Sequence, residues 1–197
     1  MKRDIILAGV GGQGILTAAK LIYTAASREG LNMKQTEVHG MSQRGGSVES
    51  HIRISDGEIH SALIPEGACD LIIATDPLES LRYVRFLAAD GAMVVNKTPF
   101  KNIADYPAED FITAELGKLA GSLTGPVHVV DPAAMAKEAG SAYAQNAALL
   151  GAACGLTGLK PESFRAAIAE VFAGKGDNVI AINTVAFDLG LRSLQPA

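Results

Sequence analysis

The chain has 197 residues, 48% of them hydrophobic and 19% charged, with a formal net charge of −4. That length and apolar share suit one α/β domain with a real core, and a charged fraction below the usual quarter or so leaves a weakly polar surface that favours a partner face. The acidic balance and the lack of a basic run exclude a nucleic-acid footprint, no stretch is long enough to span a bilayer, and Met1-Lys2-Arg3-Asp4 runs straight into a strand-like segment, which reads as a cytoplasmic protein.

Ile5-Ile6-Leu7-Ala8 is a continuous apolar run opening onto glycines, as a buried parallel strand would be. Ile15, Ala19, Ile22 and Ala26 then repeat at helical spacing, and Gly30 closes that helix in the left-handed conformation such ends favour. Met33 to Val38 is a second strand, so residues 1–38 form a β-loop-α-β unit with a right-handed crossover. Its first loop, Gly9-Val10-Gly11-Gly12-Gln13-Gly14, has the G-x-G-x-x-G form between strand and helix. Glycines there allow a tight turn and let an anion approach the free N–H groups of a helix N-terminus. Two readings stand: a dinucleotide or phosphate site, with Glu37 placed as a ribose-binding carboxylate, or a tight turn that binds nothing. The extra Gly12 and the polar Gln13 depart from the usual dinucleotide wording and point away from NAD.

The second loop, His39-Gly40-Met41-Ser42-Gln43-Arg44-Gly45-Gly46-Ser47, leaves the same sheet edge. Three glycines beside a guanidinium, an amide and hydroxyls suit an anionic or highly polar group, or a neighbouring subunit. Val48, Ser50, Ile52 and Ile54 then alternate with Glu49, His51 and Arg53, one face for a core and one polar. Asp56-Gly57 predicts a hairpin in which Glu58 to Ile64 returns antiparallel and Arg53 stands opposite His60. His51 and His60 would share a solvated or interface-facing sheet surface; a metal site needs at least three converging ligands, and Arg53 would repel the ion.

Strands resume at Asp70–Thr75, Ala92–Val95 and Val127–Val130, with a helix from about Leu78 between the first two, capped by Asp76 ahead of Pro77. His128 reads as a core histidine. From Asp131 onward the chain reads helical, with Pro132 and Pro161 at first helical positions and an apolar stripe of Phe164, Ile168, Val171 and Phe172. Ala144 to Leu156 is apolar nearly all round, hence central or pressed against another subunit. The expectation is one α/β domain spanning residues 1–197: a three-layer, mostly parallel Rossmann-like sheet with an inserted antiparallel β-hairpin and a helical C-terminal part.

Cys69 and Cys154 lie far apart in apolar contexts, as reduced buried thiols would. An iron–sulfur cluster asks for four cysteines, so this chain is not expected to hold one. Gly176-Asp177-Asn178 lacks the glycine that would extend it towards a thiamine diphosphate motif, and falls between two helical patterns.

The G-V-G-G-Q-G loop, the H-G-M-S-Q-R-G-G-S loop of His39–Ser47 and Leu63-Ile64-Pro65-Glu66-Gly67 together resemble the gamma-type subunits of the 2-oxoacid:ferredoxin oxidoreductases, in particular the beta subunits of the indolepyruvate enzymes. The likeness extends through Glu79-Ser80-Leu81-Arg82-Tyr83, Val94-Val95-Asn96 and Asn146 into the helical tail. It implies a heteromeric enzyme that converts an aryl pyruvate, CoA and oxidised ferredoxin to the aryl-acetyl-CoA, CO2 and reduced ferredoxin. Thiamine diphosphate and [4Fe–4S] clusters would belong to a large alpha subunit. This chain would bind no cofactor alone, and would reach ferredoxin through the complex. It also implies that the two glycine-rich loops approach the active site or the CoA path. The site residues it nominates are Gly9, Gly11, Gly12, Gln13, Gly14, His39, Ser42, Gln43, Arg44, Gly45, Gly46 and Ser47, none of them assigned catalysis. The competing readings are a free-standing NAD-dependent dehydrogenase, which would need an acid–base pair that the sequence after residue 131 does not offer, and a lone CoA- or nucleotide-binding module.

Overall fold

The computed structural model describes residues 1–39, 46–100 and 106–194, with only the backbone of His39. Six strands, β1 (Lys2–Val10), β2 (Asn32–His39), β3 (Ser47–Ser55), β4 (Cys69–Ala74), β5 (Leu87–Asn96) and β6 (Val127–Val130), form one sheet in the order β2-β3-β1-β4-β5-β6. β1, β4, β5 and β6 are parallel, and β3 runs antiparallel to both of its neighbours. The helices are α1 (Ile15–Arg28), α2 (Pro77–Arg82), α3 (Glu109–Ser122), α4 (Pro132–Glu138), α5 (Gln145–Thr157), α6 (Pro161–Val171) and α7 (Asp177–Ser193). They cover both faces, so the domain is α/β in three layers.

Alternation decides which helix packs where. Ile5 and Leu7 of β1 join Ile52, Ile54, Leu71, Ile73 and Val94 beneath α1, α5, α6 and α7. Ile6 and Ala8 join Ile72, Ala74, Met93 and Val95 beneath α2 and α3. The apolar α5 is central rather than a subunit face, its residues from Ala147 to Cys154 buried between the sheet and α7. Caps close the elements as their sequences require: Asp76 accepts from Leu78 and Glu79 N–H, Asp131 from Ala134 N–H, and Gly30 turns left-handed after α1. Gly176-Asp177 opens α7.

The expected hairpin partner is wrong. The antiparallel partners of β3 are β1 and β2, with Arg53 opposite Asp4 and Lys34 rather than His60. Both hydrogen-bonding edges of β3 are thereby occupied, and none remains for residues 58–64. The Asp56-Gly57 turn is used differently: Asp56 takes the N-terminal ammonium of Met1, and Gly57 donates its N–H to Ser55 Oγ. The polar face of β3 is correspondingly not a solvated surface. His51 is buried, its Nδ1 accepting the Ile64 N–H at 3.1 Å and its ring edge-on to Phe86. His60 lies exposed outside the sheet. His128 is half-exposed on the edge strand β6, not a core residue.

Burial holds the His51 imidazole below its ordinary value, against the raising influence of Glu49. An imidazole depressed on folding leaves the unfolded state with the larger proton uptake, so its contribution is intact above about pH 6.5 and is lost as pH falls below that. Urea midpoints of the isolated chain between pH 8 and pH 5 should decline through this window, and His51→Gln should flatten the decline.

Candidate functional site

At the carboxyl edge of the sheet the first glycine-rich loop touches the residue just ahead of β3: the Gly11 N–H donates to the Gly46 carbonyl at 2.8 Å. The first loop is built from within by Gln13. Its Oε1 accepts from the Val10 N–H and from Thr75 Oγ1, both at 2.8 Å, and its Nε2 donates to the Thr75 carbonyl. Asn96 Nδ2 reaches the same carbonyl, so one side-chain network ties the ends of β1, β4 and β5 together. Gly9 makes room for it, since a Cβ there would sit 2.0 Å from Thr75 Oγ1. Gly9 thus shapes the loop, and Gln13 spends its side-chain amide on it while still lining the cleft beside the loop.

Gly12 and Gly14 are the exposed glycines of this loop, both with positive φ, and a Cβ at Gly12 would meet nothing within 4 Å. Gly14 caps α1 without a side chain, and the first turn carries no acidic residue. Asn146 of α5 reaches back across the loop, its Nδ2 donating to the carbonyls of Gln13 and Gly14 at 2.8 and 3.1 Å. Between this loop and the C-terminal helices lies a cleft of about 510 Å³, walled by Thr17, Asn146, Phe172, Val179 and Asn183, with Lys175 and Tyr143 at its mouth. Lys175 has no ion-pair partner among the described residues, and Tyr143 is 98% exposed. The chemistry on offer is helix N–H groups, an ammonium, amides and an aromatic ring beside an apolar floor, suited to a phosphate-bearing ligand with a planar group. Sequence reading missed Lys175 and Tyr143; the one available signal was a lone cation between Gly174 and Gly176.

Of the second loop, Ser42, Gln43, Arg44 and Gly45 lie outside the described residues, and His39 is placed only as the backbone partner of Val48. Ser47 is not directed at the cleft. Its Oγ donates to Glu79 Oε2 at 2.5 Å and lies 2.6 Å from Tyr83 OH. Burial raises both the Glu79 carboxyl and the Tyr83 phenol above their ordinary values. Asp76, fully buried, accepts from the Phe100 N–H at 2.7 Å and from Tyr106 OH at 2.9 Å.

Glu37 does not stand where a ribose carboxylate would. β3 separates β2 from β1, which moves it to roughly 9.6 Å, two strand spacings, from β1, and its Oε1 accepts from Gln35. Cys69 and Cys154 are buried free thiols, both pushed up to about 12 by burial. No trio of His, Cys, Asp or Glu among the described residues is placed to hold a metal ion, and no described helix is long and apolar enough to cross a membrane.

A mostly parallel α/β sheet with a glycine-rich strand-to-helix loop at its carboxyl edge and a cleft beside the C-terminal helices is a domain of the doubly wound class, a fold that binds ligands at that edge. The chain belongs to the pyruvate ferredoxin/flavodoxin oxidoreductase family, matching it over residues 4–193, as a small subunit of 2-oxoacid:ferredoxin oxidoreductases. It is 42% identical over 157 residues to the indolepyruvate oxidoreductase subunit IorB of Archaeoglobus fulgidus, covering 77% of this chain and 75% of the relative. The IorB subunit of Thermococcus kodakarensis is 36% identical over 199 residues, covering 96% and 95%. In fold, the chain superposes with a TM-score of 0.76 and 22% identity on 2-oxoglutarate:ferredoxin oxidoreductase from Magnetococcus marinus, solved with 2-oxoglutarate, coenzyme A and succinyl-CoA bound. That match covers all of this chain and 32% of the other.

Proposed function

We propose that this chain is the smaller, cluster-free subunit of an indolepyruvate-type 2-oxoacid:ferredoxin oxidoreductase, and that the cleft beside its first glycine-rich loop receives CoA. The observation that carries the CoA assignment is the cleft itself. An uncapped helix N-terminus, exposed Gly12 and Gly14, and Lys175, without an ion-pair partner among the described residues, converge on one opening whose volume lies in the usual ligand range. The near full-length likeness to IorB subunits supports the aryl pyruvate substrate, and the coenzyme A and succinyl-CoA bound to the Magnetococcus marinus enzyme are in keeping with CoA. Thiamine diphosphate and the iron–sulfur clusters are assigned to a large partner subunit, through which ferredoxin is reduced in the cytoplasm. The two buried cysteines of this chain are too few for a cluster.

A stand-alone NAD-dependent dehydrogenase suits the site less well, because β3 displaces Glu37 from the first strand. In the CoA reading the roles are simple. The α1 N-terminus and Lys175 hold phosphate charge, Asn146 fixes the loop that presents those N–H groups, and Arg44 is a further cation on the neighbouring loop.

The test is co-expression with the large subunit and assay of indolepyruvate-dependent dye reduction. The complex should turn over and the isolated chain should be colourless and inactive. Lys175→Ala should raise the KM for CoA about tenfold, the loss of one charge-assisted contact, with assembly unchanged. Arg44→Ala should act likewise if that loop meets CoA, or weaken assembly if it meets the partner. An unchanged KM for CoA in both variants would refute the CoA assignment.

A further inference from the structure

A second polar cluster lies on the opposite face of the sheet from the CoA cleft, and one of its atoms has no partner among the described residues. Glu49 is on β3, only 9% exposed, with its Cα paired to Ala8 on one side and Val38 on the other. Its Oε1 faces His51 Nε2 at 3.6 Å, and that imidazole is otherwise committed through Nδ1 to the Ile64 N–H. Its Oε2 is buried and accepts no hydrogen bond among the described residues. No Lys or Arg among the described residues pairs with this carboxylate, whereas buried Glu79 is served by Ser47 and Arg82.

A buried carboxylate left half-satisfied is costly, and such groups call for an explanation. The surroundings narrow the choice. The corner is acidic, with Glu49, Glu79 and Asp76 all buried, which turns away phosphates. No metal-binding trio exists among the described residues. On the β2 side the same face is uncovered: Val38, directly opposite Glu49, is 46% exposed on the outermost strand of the sheet. In the Magnetococcus marinus enzyme the matching region makes up 32% of a longer chain, so a domain of this fold there sits among further protein.

We infer that Glu49 is an acceptor for a guanidinium or ammonium side chain of the large subunit, which docks over the exposed β2 flank and completes Oε2. This rests on the proposed assembly with a large subunit. It adds a specific contact on the face away from CoA, one that no motif of the sequence announces.

Two measurements on Glu49→Gln test it: the thermal midpoint of the isolated small subunit, and the dissociation constant of the complex as a function of salt. The isolated variant should be as stable as the wild type or more so, because an uncompensated buried charge has been removed. The complex should dissociate at least about tenfold more readily, with a shallower salt dependence, since a buried cross-subunit charge pair has lost one partner. A lower midpoint with unchanged assembly would overturn the inference, placing the carboxylate's role inside the chain, and so would a variant unchanged in both. Should the wild-type chains themselves fail to associate, the functional reading fails; association that ignores the substitution defeats the Glu49 contact alone.

Discussion

Gly190→Ala is expected to destabilise the isolated chain by about 3 kcal/mol, at the upper end of what overpacking a core costs. A Cβ at Gly190 on α7 would stand 1.9 Å from the Ala148 carbonyl oxygen and 2.8 Å from Ala152 N of α5. Gly151 on α5 meets the same restriction from the Phe187 carbonyl of α7, at 2.0 Å. The two helices therefore touch backbone to backbone, and no rotamer change can relieve an added methyl; the helices must separate. Separation would also disturb the stacked Phe164 and Phe187 rings, 5.4 Å between centroids, and the seat of Asn146 at the start of α5. Gly155, on the exposed side of α5, is the internal control. A Cβ there meets nothing within 4 Å, so Gly155→Ala should stabilise by about 0.5–1 kcal/mol through helix propensity. Urea denaturation of the two variants should move the midpoint in opposite directions.

Arg53→Ala should cost about 3–5 kcal/mol, the usual consequence of stranding a buried charge by removing its partner. Asp4 is fully buried at the amino end of β1, and Arg53 grips it bidentately, Nε to Oδ1 at 2.8 Å and Nη2 to Oδ2 at 2.9 Å. The same guanidinium donates through Nη1 to the carbonyls of Ser61 and Leu63, pinning the segment that crosses the sheet face. Lys2, 3.1 Å from Asp4 Oδ2 but well exposed, gives only weak compensation. Arg53→Lys should recover a minor part, because an ammonium cannot serve both carboxylate oxygens and the two carbonyls at once. Equilibrium unfolding of Arg53→Ala, Asp4→Ala and the double variant is the check. The double variant should fall well short of the summed single losses, since both remove one interaction.

Much of the fold was legible in local signals. The apolar run Ile5–Ala8, the helical repeat ending at Gly30, the Asp76-Pro77 and Asp131-Pro132 starts and the helical tail all lie where the sequence placed them. The reason is that strand alternation, helix periodicity and capping are set by residues a few positions apart. The first glycine-rich loop was likewise recognisable, because a strand-to-helix turn carries its glycines in sequence. The helix α3 went unread, its apolar residues Ile112 and Leu116 being too sparse to make a clear stripe.

What the tertiary structure decided is pairing and orientation. Alternation along Val48–Ile54 shows that two faces differ, but not which strands flank the segment. β1 and β2 claim both edges of β3, so the hairpin suggested by Asp56-Gly57 cannot form, and His51 and Glu49 end in the interior. Gln13 reads as a ligand group in sequence, yet turns inward because Thr75, 62 residues away, offers partners for its amide. The cleft gathers Gly12, Asn146 and Lys175 from three distant stretches. Local chemistry fixes which elements exist; only the packed sheet, in which each edge can be paired once and each buried polar atom seeks a partner, decides what they face.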